Sequence, residues 1–139
     1  MLAFGHWRKW WDDHQFQSLV VERDGYEKEV GYSFRLDWIG VGKEGLVLND
    51  WKTGRGIYPE AHLQVAAEIV ALRRLGIPIA TGYIVRLPKI DDDPVWRESE
   101  VGHMAAGRVY TIEELFEVFC HVKYMFDWLN HTNKPKGVK

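Results

Sequence analysis

Cysteine is almost absent. Cys120 is the only thiol in 139 residues, so no internal disulfide can staple the fold. There is also no apolar run long enough for a membrane span or a signal peptide, and no repeat or linker composition. A strong charge of one sign is missing too. The net charge of −2 does not advertise a polyanion-binding surface, because dedicated nucleic-acid binders are usually basic overall or on one face. The six histidines form no His-x-x-x-His pair and have no cysteine partners, which argues against zinc and leaves them as surface or helix-packing residues. Together these absences predict a soluble, cytoplasmic protein with no membrane partner, stabilised by a hydrophobic core.

Core-forming sequence is present in quantity. Hydrophobic residues make up 46% of a chain whose length suits one compact domain over residues 1–139. Its seven tryptophans are explained by core packing before base stacking. Phe4, Trp7, Trp10 and Trp11 recur at helical spacing and predict an opening helix from about Ala3 to Gln17, lying over a sheet. Strands are expected near Ser18 to Arg23, Lys28 to Ile39, Leu46 to Lys52 and Ile79 to Leu87. From Glu60 to Leu75, Ala61, Val65, Ala66, Ile69, Val70 and Leu72 form a broad apolar stripe, as a helix packed on that sheet requires. Asp91-Asp-Asp93-Pro94 reads as a turn. Thr111 with Glu114 is a capping box, and Ile112, Leu115, Phe119, Val122, Phe126 and Leu129 continue a final helix whose Trp128 belongs to the core or an interface. Helices alternating with strands in this way predict an α/β fold.

The chemistry sits in the middle of the chain. Phe34-Arg-Leu-Asp37-Trp-Ile-Gly40 and Val47-Leu-Asn-Asp50-Trp-Lys52-Thr-Gly54 are joined by a glycine-rich turn, which makes a β-hairpin the simplest reading. Gly40-x-Gly42-x-x-Gly45 also matches a dinucleotide-binding fingerprint, but Leu46-Val-Leu after it reads as strand and not as helix. With the turn centred on Lys43 and Glu44, Asp37 falls opposite Asp50, and residues so paired sit ~4.5–5.5 Å apart. Two carboxylates that close cannot both stay ionised unless a cation stands between them, and hard divalent ions prefer oxygen ligands. Mg²⁺ or Mn²⁺ suits the pair. Lys52 leaves the same face roughly 6–7 Å along the strand, within reach of a nucleophilic water or a phosphate. Trp51 points its side chain the other way, while its carbonyl lies between the two side chains as a further metal ligand. Such a group is built for metal-dependent phosphodiester cleavage.

From about Glu22 to about Lys89 the sequence resembles the PD-(D/E)xK nuclease superfamily, in the branch that holds the RecB nuclease domain and the CRISPR-associated and phage exonucleases. That branch has an Asp after one strand, Asp/Glu-x-Lys on the next, and then a helix with Gln-x-x-x-Tyr. These map onto Asp37, Asp50-Trp51-Lys52 and Gln64. The resemblance implies a restriction-endonuclease-like core, a central mixed β-sheet flanked by helices. It further implies a Mg²⁺- or Mn²⁺-dependent DNA exonuclease in replication, recombination or repair, with Asp37 and Asp50 as metal ligands, Lys52 polarising water or phosphate and Gln64 positioning the site. DNA, single- or double-stranded, is the expected partner, and a second copy or another protein can complete the groove. The chain departs from the pattern at Phe34, where the family usually has Gly, and at Glu68, where it has Tyr. Many members also carry an upstream metal-binding His or Glu, for which His6, His14 and Glu22 are the candidates. Glu60 and Glu68 read as a solvated face. Lys52, Arg55, Arg73, Arg74, Arg86 and Lys89 are candidates for a basic path, with Tyr58 or a Trp available for stacking, while Arg73 and Arg74 read equally as an ordinary exposed helix end. The competing class is a catalytically silent nucleic-acid-binding or assembly module on the same fold.

Overall fold

The computed structural model describes Arg8 and residues 17–54, 56–87 and 97–133. Strands β1 (Gln17–Glu27), β2 (Tyr32–Gly42) and β3 (Gly45–Lys52) follow one another through short turns. Helix α1 (Pro59–Arg74) leads to β4 (Ile79–Arg86) and β5 (Arg97–Glu100), and α2 (Ile112–Asn133) comes last. The strands lie side by side in chain order, antiparallel throughout except for the parallel pair β3 and β4. A parallel pair needs a crossover, and α1 supplies it. The result is the expected α/β class, a central mixed sheet with helices packed on it. No helix among the described residues is long and apolar enough to cross a membrane. The expected opening helix, apart from Arg8 and Gln17, and the Asp91–Pro94 turn lie outside the described residues; Gln17 begins β1.

The central hairpin closes where its glycines allow. Gly42 pairs with Gly45 across Lys43 and Glu44, and Gly45 takes φ +123, a value that side chains with a Cβ rarely adopt. β3 follows directly, so the dinucleotide-binding reading of these glycines does not apply.

The first hairpin differs from the expected limits. β1 continues past Arg23 to Glu27, and Lys28 belongs to a turn and does not open β2. Its cause is the buried Glu27 carboxylate, which accepts the N–H of Glu29 at 3.0 Å and of Val30 at 2.8 Å, while Gly31 closes the turn at φ +90. Arg74, at the end of α1, reaches the same carboxylate at 3.0 Å and lies over the Phe116 ring of α2 at 5.1 Å. Burial pushes the Glu27 carboxyl up, but the two N–H donors and the Arg74 guanidinium outweigh it and hold it below its ordinary value. This ion pair ties the β1–β2 turn to both helices.

Other arginines are committed in the same way. Arg73 donates to the Ile79 carbonyl at 2.9 Å and pairs with Glu113 at 3.3 Å, and buried Arg86 donates to the Gly54 carbonyl at 2.7 Å. Arg73, Arg74 and Arg86 therefore brace the fold, with Arg73 and Arg74 forming a partly exposed helix end. Arg55 and Lys89 lie outside the described residues.

α1 starts at Pro59, whose missing N–H costs a first turn nothing, and ends at Gly76, which takes φ +86 and donates to Arg73 while Ile77 donates to Leu72. Its stripe is buried as predicted. Val65 and Ile69 pack with Leu48 of β3 and Ile84 of β4, all fully buried, and each such side chain stabilises the fold by roughly 1.5–3 kcal/mol. Gly82 of β4 sets how closely the helix approaches. A Cβ there would lie 2.7 Å from Val65 Cγ1 and 3.2 Å from the Leu48 carbonyl oxygen.

α2 opens on the predicted capping box: Thr111 Oγ1 accepts from Glu114 N at 3.0 Å, and Glu114 Oε1 accepts from Thr111 N at 3.2 Å. Leu115 is buried, and Phe116 and Phe119 cluster with Tyr32, whose hydroxyl donates to the Ala67 carbonyl at 2.8 Å. The expected final helix continues beyond that point, but its apolar residues do not all reach the core. Val122, Phe126 and Leu129 are exposed by 52%, 64% and 44%, and Trp128 is exposed and so lies outside the core. At 22 residues α2 is about 33 Å long against about 24 Å for the 16-residue α1, so its last turns have no described element beneath them.

Gly82→Ala should destabilise the protein by about 1–3 kcal/mol, because β-branched Val65 cannot swing away from the new methyl. Thermal melts followed by circular dichroism measure this, and an unchanged Tm would contradict the close approach of α1 to β4.

Candidate active site

The β2–β3 ladder runs from Gly42↔Gly45 to Trp38↔Asn49, the register that a turn centred on Lys43 and Glu44 dictates. Asp37 and Asp50 are the next residues on each strand, and there the ladder stops. The Trp51 N–H donates to Asp37 Oδ2 at 2.9 Å, so a side-chain carboxylate takes the place of a strand carbonyl. An extended residue's C=O points to the same side as its N–H, which turns the Trp51 carbonyl toward Asp37 as well.

Asp50 is 3% exposed, and strand alternation puts it on the face of β3 that carries Leu48 and Lys52 toward α1. Lys52 Nζ sits 3.0 Å from Asp50 Oδ2 and donates to Gln64 Oε1 at 3.1 Å. Gln64 Nε2 in turn donates to Glu68 Oε1 at 3.3 Å. Asp37, Asp50, Lys52 and Gln64, picked from three separate stretches of sequence, are thus brought together, with the Trp51 main chain beside them.

Electrostatics at this point are tense. Burial pushes the Asp50 carboxyl up to about 6; Lys52 opposes the shift, and the hydrogen-bonded Asp37 carboxylate adds to it. Asp50 Oδ2 is buried with no aligned hydrogen-bond donor despite its ion pair with Lys52, and both side-chain amide atoms of neighbouring Asn49 are buried without a partner. Unmade hydrogen bonds at buried groups cost on the order of 1–3 kcal/mol each. Asn49 projects to the face of β3 opposite Asp50, so its unmet amide lies behind the site and not in it.

Glu68 is where the sequence reading went wrong. It was expected on a solvated face with Glu60, yet it is 2% exposed and its carboxyl is pushed up to about 8 by burial first and then by the Asp50 charge. Helical geometry explains the difference. At 3.6 residues per turn, eight positions advance roughly 80° around the axis, so Glu60 faces solvent, Gln64 sits at the edge and Glu68 has turned toward the sheet. That rotation is the signal that could have found it.

The remaining candidates fall elsewhere. Glu22 is exposed on β1 and pairs with Arg35 at 3.7 Å, so it does not join the group; His6 and His14 lie outside the described residues. His62 is a helix-packing histidine as expected: it is buried, and its Nδ1 accepts the Gly102 N–H at 3.1 Å. Phe34 pairs with Gly25 across β1–β2 and lays the tip of its ring over that glycine, covering a gap in the neighbouring strand.

Among the described residues no group of three or more His, Cys, Asp or Glu is arranged to hold a metal ion. The donors at the ladder's end nevertheless suit a hard divalent cation. They are carboxylate and carbonyl oxygens, and the mutual repulsion of Asp37 and Asp50, which the single Lys52 ammonium offsets only in part, is relieved by further positive charge.

Compared with known proteins, the chain matches no family model and no curated protein. Among solved structures, the crystal structure of SSO0001 is similar at a TM-score of 0.44 and 13% sequence identity, over 97% of this chain and 59% of that one. The chain therefore spans about 59% of the length of that structure, and a likeness this distant says nothing of activity.

Folded Asp50 and Glu68 keep their protons to higher pH than an unfolded chain does. Their contribution to stability is therefore complete below about pH 4 and is lost as pH rises through about 6 and then about 8. In EDTA, Glu68→Gln should remove the upper part of that fall, raising Tm by several degrees at pH 8 and little at pH 5. Identical pH dependence in the two proteins would show that Glu68 does not carry the buried charge.

Proposed function

We propose that the chain is a Mg²⁺- or Mn²⁺-dependent DNA nuclease, an exonuclease of replication, recombination or repair acting in the cytoplasm. The observation that carries this reading is the convergence of Asp37, Asp50, Lys52 and Gln64 where β2 leaves the ladder. Its likeness to the Asp, Asp-x-Lys and Gln pattern of PD-(D/E)xK nucleases supports the same roles.

Asp37, Asp50 and the Trp51 carbonyl would hold the cation, which when bound supplies Lewis-acid activation of a water and of the phosphoryl oxygen. Lys52 is one-third exposed and fixed from one side by Asp50 and from the other by Gln64, so its ammonium is aimed without being buried. In that position it orients the attacking water and offsets charge that builds on the phosphorus. Gln64 fixes the lysine, and Glu68 fixes Gln64. A chain of hydrogen bonds of this kind holds the reacting group in one geometry, which is where much of an enzyme's advantage over solution arises.

Lys52→Ala should lower cleavage of end-labelled DNA by roughly 10²–10⁴-fold while leaving the circular dichroism spectrum unchanged. Cleavage at the parental rate would refute the mechanism. Asp50→Asn should abolish the Mn²⁺ isotherm in titration calorimetry. DNA that is bound but never cut, with any divalent ion, would instead identify a catalytically silent binding module.

A further inference from the structure

We propose that the hollow between β2, α1 and α2 is a nucleobase pocket, and that the strand taken by the site is single-stranded, with one unpaired base inserted beside the scissile phosphate. The inference rests on the nuclease reading for the placement of that phosphate.

The cavity measures about 450 Å³, within the roughly 300–1,000 Å³ common for small-ligand sites. Its walls are flat and apolar: Tyr32, Phe34 and Phe119 with Leu63, Ala67 and Val122. It is continuous with the site, because Gln64 and Glu68 form part of its lining. The Tyr32 ring is fixed by its hydroxyl's hydrogen bond to Ala67 and by its edge-to-face contact with Phe119 at 4.9 Å, and Phe34 is seated over Gly25. Rings held in this way lose little freedom on binding, which favours them as stacking platforms.

A second hollow of about 240 Å³ lies on the other side of Gln64, between Lys52 and the exposed Tyr58. Glu60 and Gln64 line both hollows and form the ridge between them. A polynucleotide crossing that ridge places its phosphate at Lys52 and a base to one side of it. A base within a duplex is stacked and paired, and cannot enter a recess without being extruded. An unpaired strand pays no such cost. Arg35, which lines the larger hollow, is an exposed cation beside that path and is shared with Glu22 and Asp24 at 3.7 Å each.

The test needs no cleavage. In EDTA, an oligodeoxythymidine carrying 2-aminopurine at each position in turn should lose fluorescence on binding at one position, as the base stacks. An abasic nucleotide at that position should weaken binding about ten-fold, the order of one base stack. Val122→Trp, which fills the mouth of the hollow from an exposed position on α2, should do the same and should abolish the quenching. Binding that is indifferent to the abasic nucleotide and to Val122→Trp would overturn the pocket, as would a duplex bound as tightly as the single strand. The two readings fail separately. Quenching without any metal-dependent cleavage keeps the pocket and removes the nuclease, whereas cleavage unaltered by Val122→Trp keeps the nuclease and removes the pocket.

Discussion

A buried aspartate, Asp50, held beside the half-buried Asp37, with a single lysine between the pair and the helix, imposes the constraint on which the rest of the structure depends. Burial and mutual repulsion both oppose the charged state of Asp50, and Glu68 adds a third acidic group to the same environment. Such an arrangement does not stabilise a fold. It survives because elements distant from it over-determine the backbone. The glycine-closed hairpin fixes the register, Gly82 lets α1 lie close enough for Gln64 to reach Lys52, and the pair of buried Glu27 with partly exposed Arg74 anchors the far end of α1 to the sheet.

The same division appears in the hydrogen bonds. Glu27 is as buried as Asp50, yet two backbone N–H groups and a guanidinium satisfy it and its carboxyl is held down. Asp50 meets one ammonium, at 3.0 Å from Oδ2, and faces a second carboxylate, so its carboxyl is pushed up. One acidic residue is satisfied within the fold; the other is only partly satisfied and sits where β2 departs. Unmet polarity at the end of a ladder is free to be met by something that binds.

Local rules carried the sequence reading where a few adjacent residues decide the outcome. Glycines around Lys43 and Glu44 specify the turn, and the turn specifies that Asp37 and Asp50 follow the last ladder pair, because strand side chains alternate with a period of two. Thr111 and Glu114 specify the start of α2 by a bond between neighbours. The differences arise where the period of a strand or helix does not name the partner. Lys28 continues a strand-like run until the Glu27 carboxylate is seen to hold the N–H groups of Glu29 and Val30. Arg73, Arg74 and Arg86 are candidates for a basic path by residue type alone, and their carbonyl and carboxylate partners come from the packing. Val122, Phe126 and Leu129 keep the helical period, but α2 outruns the helix it packs on and they are exposed.

What the sequence by itself determined is the α/β alternation, the hairpin register and the candidates Asp37, Asp50 and Lys52, since each follows from periodicity, turn chemistry or spacing within a single element pair; Gln64 is added by the resemblance to the PD-(D/E)xK pattern. Tertiary structure decided how deeply Glu68 is buried beside that set and which carbonyls and carboxylates hold Arg73, Arg74 and Arg86. It also decided that a cavity opens next to Gln64. Those outcomes depend on how far a helix is rotated about its own axis and on which charges meet across the sheet. Both are settled by the packing of α1 against β3 and β4, which no local pattern encodes.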